Sequence, residues 1–221
     1  MRRSLFPLVF IVCAARAWTG AADLISLRPW VELEPIVRID AGEYPIPVET
    51  AERKLLEEAR LLVSGMIYGW SFVYTPGDAA RRVEERFDLT PLAEIPWGSP
   101  RLRVSETEVV EAKLYARVLY SLSDDEALRR SAWESNTAAL STGNGRASAM
   151  KGPAAKMASL QDAIRDAIRL SLHTRYVNKP REISGEVVLW DDPRTLVRSG
   201  EYRTVAKVKL RIREIVPYRI F

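Results

Sequence analysis

The chain has 221 residues, 47% of them apolar and 28% charged, enough for one sizeable core or two small ones. Its formal charge is +4, from 33 Lys and Arg against 29 Asp and Glu, but Arg2, Arg3 and Arg16 fall in an N-terminal leader that has no acidic residue. Without that leader the balance is 30 against 29, about +1, so charge gives no case for a nucleic-acid partner.

Residues 1–22 read as a signal peptide. Arg2 and Arg3 supply a positive end, and Leu5 to Ala15 is apolar apart from Pro7. That run of about eleven residues is too short for a bilayer, which takes about 20. Ala15-Arg16-Ala17 and Gly20-Ala21-Ala22 offer cleavage sites. The expectation is an exported, periplasmic protein with one domain over 23–221. Cys13 is the sole cysteine, so cleavage leaves neither disulfide nor thiol chemistry. The alternative is a lipid anchor through Cys13, although Phe10 and Val12 are poor matches to the small residues such signals use.

After the leader, Val31, Leu33, Val37 and Ile39 alternate with polar residues, the pattern of a strand with one wet face, bent or at an edge because of Pro35. A helix follows over 50–64, capped by Thr50, with Leu55, Leu56, Ala59, Leu62, Val63 and Met66 at helical spacing and Gly65 as its stop. The stretch 64–76 reads as the central strand. Tyr68, Trp70, Phe72 and Tyr74 share one face, and the uncharged Ile67, Gly69, Ser71 and Val73 share the other, so cover is expected on both sides. Asp78 predicts a short helix over 79–87. Residues 90–100 carry three prolines and read as a loop pinned by Trp97, the one candidate boundary within the domain.

A half-buried strand is predicted from Val110 to Leu122, then a capping box at Ser123-Asp124-Asp125-Glu126 and a helix to about Trp133. Residues 135–152 are Ser, Thr, Asn, Ala and Gly and read as a mobile loop. A long helix over 153–177 has Met157, Leu160, Ile164, Ala167, Ile168 and Leu172 inward, with Asp162–Arg165 and Asp166–Arg169 as surface pairs. Two strands, 183–190 and 203–216, close the chain around an Asp191-Asp192-Pro193 turn. The fold class that results is α+β: a mixed or mainly antiparallel sheet of about five strands with two long helices on one face.

The clearest chemical feature is the last strand. Arg203, Lys207, Lys209, Arg211 and Arg213 share one face, where they could meet an acidic glycan, lipid head groups or an envelope protein. Neutralisation by a neighbour such as Glu111 is the plainer reading. The aromatic row on 68–74 could stack sugars, but fits a core better. His173 is the sole histidine, and H-E-x-x-H, cysteine clusters and G-x-S-x-G are missing, so no cofactor or metal is implied. Residues 145–152 fail the phosphate-loop pattern, since Gly152 stands where Ser or Thr is required. Phe221 ends the chain as in many outer-membrane barrels, but Pro217 and Arg219 spoil the last strand. The expected function is an exported, non-catalytic envelope protein with a binding or accessory role. The alternative is a hydrolase of an envelope polymer, working through a carboxylate pair in a cleft.

Overall fold

The computed structural model describes residues 24–35, 44–135, 137–173 and 179–218. Residues 1–23 with Cys13, the positions Val37 and Ile39, the His173 side chain, residues 174–177, and Arg219 and Phe221 lie outside the described residues.

Among the described residues, ten strands form two antiparallel sheets, joined by three helices. The α+β class stands, but one sheet of about five strands is replaced by sheets of four and six. The smaller sheet is built on β6 (Lys113–Ser121). One edge of β6 pairs with β1 (Leu24–Leu27) and β2 (Trp30–Glu32), and the other with β5 (Leu102–Val110). The larger sheet runs β4 (Arg86–Pro91), β3 (Trp70–Thr75), β8 (Glu182–Leu189), β10 (Glu201–Val216), β7 (Ala139–Ser148). The first residues of β10 also pair with β9 (Arg194–Arg198), in line with β8.

Helix α1 (Val48–Ile67) lies between the sheets. Its first half sets Ala51, Leu55 and Ala59 against Leu114, Ala116 and Val118 of β6. Its second half joins Leu62, Val63, Met66 and Ile67 to the main core, with Trp70, Phe72 and Tyr74 of β3 and Ala206, Val208 and Leu210 of β10. The same core takes the inner stripe of α3 (Ala154–His173), from Leu160 to Leu172. The two helical stripes and the two faces of β10 are therefore as the periodicity predicts. The capping box also forms: Ser123 and Glu126 exchange side-chain and backbone bonds at the start of α2 (Asp124–Ser131).

Several expectations are corrected. Gly65 does not end α1, which runs to Ile67; it makes room for the Trp70 ring. The central segment is a strand only from Trp70. Its second face is partly open, with Val73 38% exposed, so cover is one-sided. Asp78 does accept from the amides of Ala80 and Arg81, but that cap starts a tight turn closed by Val83, not a helix over 79–87; β4 follows. Trp97 is 55% exposed, and it is Ile95 that fixes the 90–100 segment, buried with its amide on Ser64 Oγ at 3.0 Å. The strand expected over 110–122 forms as β6 over Lys113–Ser121, but its first residues belong to a hairpin with β5 that turns at Glu111 and Ala112. Both have positive φ (49° and 57°), and neither is the Gly or Asn that usually marks such a turn.

The largest correction concerns residues 135–152. They contain β7, the edge strand of the larger sheet, and not a mobile loop. Its small residues are what lets α3 lie against it. A Cβ on Gly143 would stand 2.1 Å from the Ala163 carbonyl oxygen, and one on Gly145 2.0 Å from that of Ser159. Ser141 Oγ donates to the Ala167 carbonyl at 2.7 Å. The amides of Asn144 and Arg146 donate to the carboxylates of Asp166 and Asp162 at 3.0 and 2.9 Å. Four helical residues rise about 6 Å and two strand residues about 6.6 Å, so carboxylates four apart match amides two apart. Sheet edges with unpaired amides invite aggregation, and α3 closes this one.

Candidate functional site

The five cations of β10 do share the outer face of the larger sheet, and each has a partner within the chain. Arg203 pairs with Glu201, Lys207 with Asp191 at 3.4 Å, and Arg213 with Glu186. Lys209 donates to the Trp133 carbonyl at 2.7 Å and stands 4.0 Å over the Trp190 ring. Arg211 donates to the Ala132 carbonyl and stacks 4.3 Å over Trp133. Those carbonyls end the helical turns after α2, where the dipole is negative and a cation is favoured. The balancing acids are thus local, and Glu111 is not among the ion-pair partners.

A second polar cluster is built around Glu126. Its carboxylate accepts from the hydroxyls of Tyr68 and Tyr120 at 3.0 and 2.9 Å, from the Ser123 amide at 2.8 Å and from Arg101 at 2.6 Å. Burial pushes the carboxyl up, but those donors outweigh it and its pKa falls below the ordinary value. Burial, and then the bond to Glu126, raise Tyr120 to about 12. The cluster ties α1, β6 and α2 together, and every oxygen has a donor, which is the pattern of a structural tie.

The third cluster differs because it opens on cavities. Lys156 lies on α3 with its residue 9% exposed. Its Nζ donates to the Trp30 carbonyl at 2.6 Å and to both Glu58 oxygens, at 2.7 and 2.8 Å. It also sits 3.9 Å over the Trp30 ring, which Lys113 approaches at 4.8 Å. The Tyr202 ring stacks beside Trp30, and its hydroxyl donates to Glu32 at 2.6 Å. Burial lowers Lys156 below its ordinary value and raises Glu58, each against the attraction of the other. Asp192 is likewise raised by burial, although it accepts from the Arg28 amide at 3.0 Å.

One cavity beside this pair has a volume of about 250 Å³. Its apolar walls are Val31, Ile46, Leu61, Pro153 and Met157, and Lys54, Glu57 and Glu32 supply charge. A second cavity, of about 20 Å³, lies between Glu58, Lys156, Asp192 and Thr195. Sequence reasoning did not single out this site. The signal was there: Lys156 is in phase with Leu160, Ala163 and Ala167, and Glu58 with Leu55 and Leu62, so one charge interrupts each buried stripe. The Asp191-Asp192 pair does not act together, since Asp191 turns to Lys207 and Asp192 to Arg28. Among the described residues no group of three or more metal-ligating side chains is assembled.

Fold and site define an α+β protein of two antiparallel sheets around a shared helix, with a partly apolar cavity at their junction. The chain belongs to an uncharacterised protein family whose model matches residues 13–218. It is 27% identical over 203 residues to an uncharacterized protein of Treponema pallidum (strain Nichols), a match covering 92% of this chain and 85% of that protein. No solved structure matches it. No helix among the described residues is long and apolar enough to cross a membrane.

Proposed function

We propose that this is an exported, non-catalytic envelope protein that binds an aliphatic chain of an envelope lipid in the cavity beside Trp30. The leader supports export, and the 250 Å³ cavity carries the binding reading. At about 10–15 Å³ for one water-sized group, that volume has room for an alkyl chain of eight carbons or more. An aliphatic ligand is preferred because Val31, Ile46, Leu61, Pro153 and Met157 offer an alkyl wall, while the Trp30 ring is occupied by Lys113, Lys156 and Tyr202; the Tyr44 and Tyr202 rings also line the cavity. Burying that surface supplies the affinity.

The cations of β10 serve this reading as a secondary surface. Arg203, Lys207 and Arg213 remain partly exposed beside their acidic partners and could meet lipid phosphates. The hydrolase alternative has one supporting observation: Glu58 and Asp192 line the same cavity. That cavity, about 20 Å³, holds a water but not a sugar ring, so binding is preferred.

The test is calorimetric titration of 1-octanol into the purified protein and into Leu61→Trp, which fills the cavity. The expected result is saturable binding to the parent and a loss of about tenfold or more in the variant, at unchanged circular dichroism. Equal binding by both would sink the proposal. N-terminal sequencing of the mature protein tests the export half.

A further inference from the structure

We propose that Lys156 captures aliphatic aldehydes in the larger cavity as a reversible imine; this inference rests on the cavity-binding reading above. The geometry brings together the three things such capture needs: an amine, a proton acceptor touching it, and an apolar space for the carbonyl compound's tail. Lys156 lines both cavities. Glu58 lies within hydrogen-bond reach through both oxygens. The alkyl walls of the larger cavity take the tail.

The step balances within the site. One proton passes from the ammonium to Glu58. The freed amine still donates to the Trp30 carbonyl, so its position is kept. Its lone pair attacks the aldehyde carbon and forms a carbinolamine. Glu58 returns a proton to the departing hydroxyl, one water leaves, and a carbon–nitrogen double bond remains. Nothing is oxidised or reduced. The groups facing Nζ are Glu58 from α1 and, at longer range, Glu32 from β2 and Asp192 from the turn after β8, with Lys113 of β6 across the Trp30 ring. Three carboxylates around one buried amine can hold and return the proton. Burial favours the neutral amine, as the lowered pKa of Lys156 and the raised pKa of Glu58 record. Exposed lysines such as Lys207 adjoin no such apolar pocket. Amines desolvated in apolar pockets are a recognised source of imine-forming nucleophiles.

The experiment treats the full chain at pH 7 with n-octanal and cyanoborohydride, which reduces the imine to a stable secondary amine, and maps the modified lysines by mass spectrometry. Lys156 is expected to be alkylated about tenfold faster than Lys207 or Lys179, because only Lys156 adjoins a cavity that holds the aldehyde's tail, and about 1.4 kcal/mol of tail binding corresponds to a factor of ten. Excess 1-octanol should slow labelling at Lys156 alone. Lys156→Met should remove the fast site. Should that variant not fold, the octanol competition on the parent chain decides. If octanol binds but Lys156 is labelled no faster than Lys207, the imine inference is overturned and the cavity reading stands. If octanol does not bind, both are overturned.

Discussion

Strands β3 and β7 lie toward opposite edges of the larger sheet and meet their helices in opposite ways. β3 projects Trp70, Phe72 and Tyr74 into the core, and α1 makes room by carrying Gly65, where a Cβ would stand 2.0 Å from the Trp70 ring. β7 projects almost nothing, and α3 approaches until its backbone touches the glycine positions. In the first case a large side chain fills a wide gap between the layers. In the second the gap is closed by removing side chains. Close approach also brings Asp162 and Asp166 within reach of the β7 edge, a contact no wide gap permits. Small residues are therefore as informative about packing as aromatic ones, provided a partner helix exists.

Five substitutions break or sharpen that contrast. Trp70→Ala should cost the most, about 3–5 kcal/mol in chemical denaturation, because it empties the wide side. Gly65→Ala should be destabilising alone, and its cost should shrink in the Trp70→Ala background; strict additivity would mean that ring and glycine are not coupled. Gly143→Ala should cost about 3 kcal/mol, since the clash is with helix backbone that cannot rotate away. Replacing Asp162 and Asp166 with Ala should cost about 1 kcal/mol each and raise hydrogen exchange at the Asn144 and Arg146 amides specifically. An unchanged exchange rate would show that α3 does not guard that edge.

The alkaline titration probes the Glu126 tie, outside both strands. Tyr120 has a folded pKa of about 12 against an ordinary 10, so its neutral form is the one the fold favours. Its contribution is complete below pH 10 and is lost as pH rises through about 12. Tyr120→Phe should flatten that part of the stability profile. The smallest effect is expected at Lys207→Gln, below about 0.5 kcal/mol, because its pair with Asp191 is exposed.

Much of the fold was legible in the residues. The stripes of α1 and α3, the capping box at Ser123 and the two faces of β10 each follow from a period or a local bond, and they formed as read. Three failures share a cause. At Asp78 the cap chemistry was right, but Val83 bridges back to Asp78 and Phe87 pairs within β4, so a turn results. Glu111 and Ala112 turn a hairpin without the usual residues, and the alternation of Val110, Ala112 and Leu114 hides the reversal. β5 beyond it is nearly all exposed, because α1 covers β6 and β2 and leaves β5 open, so it carries no apolar alternation to be seen. For the site, the sequence pointed to the cations of β10, which the fold pairs with neighbours, and passed over Lys156 and Glu58.

The sequence by itself determined which faces are apolar, where two long helices begin and turn, and that the chain has one histidine and, beyond Cys13, no thiol. These are local properties, set by spacing along the chain. Only the tertiary structure decided that Ser, Gly and Ala over 139–148 make a strand, because what stabilises them is the backbone of a helix some twenty residues away. It alone also decided that a lysine and a glutamate on different helices share a cavity. Burial and pairing depend on which elements meet, and that is a property of distances in space.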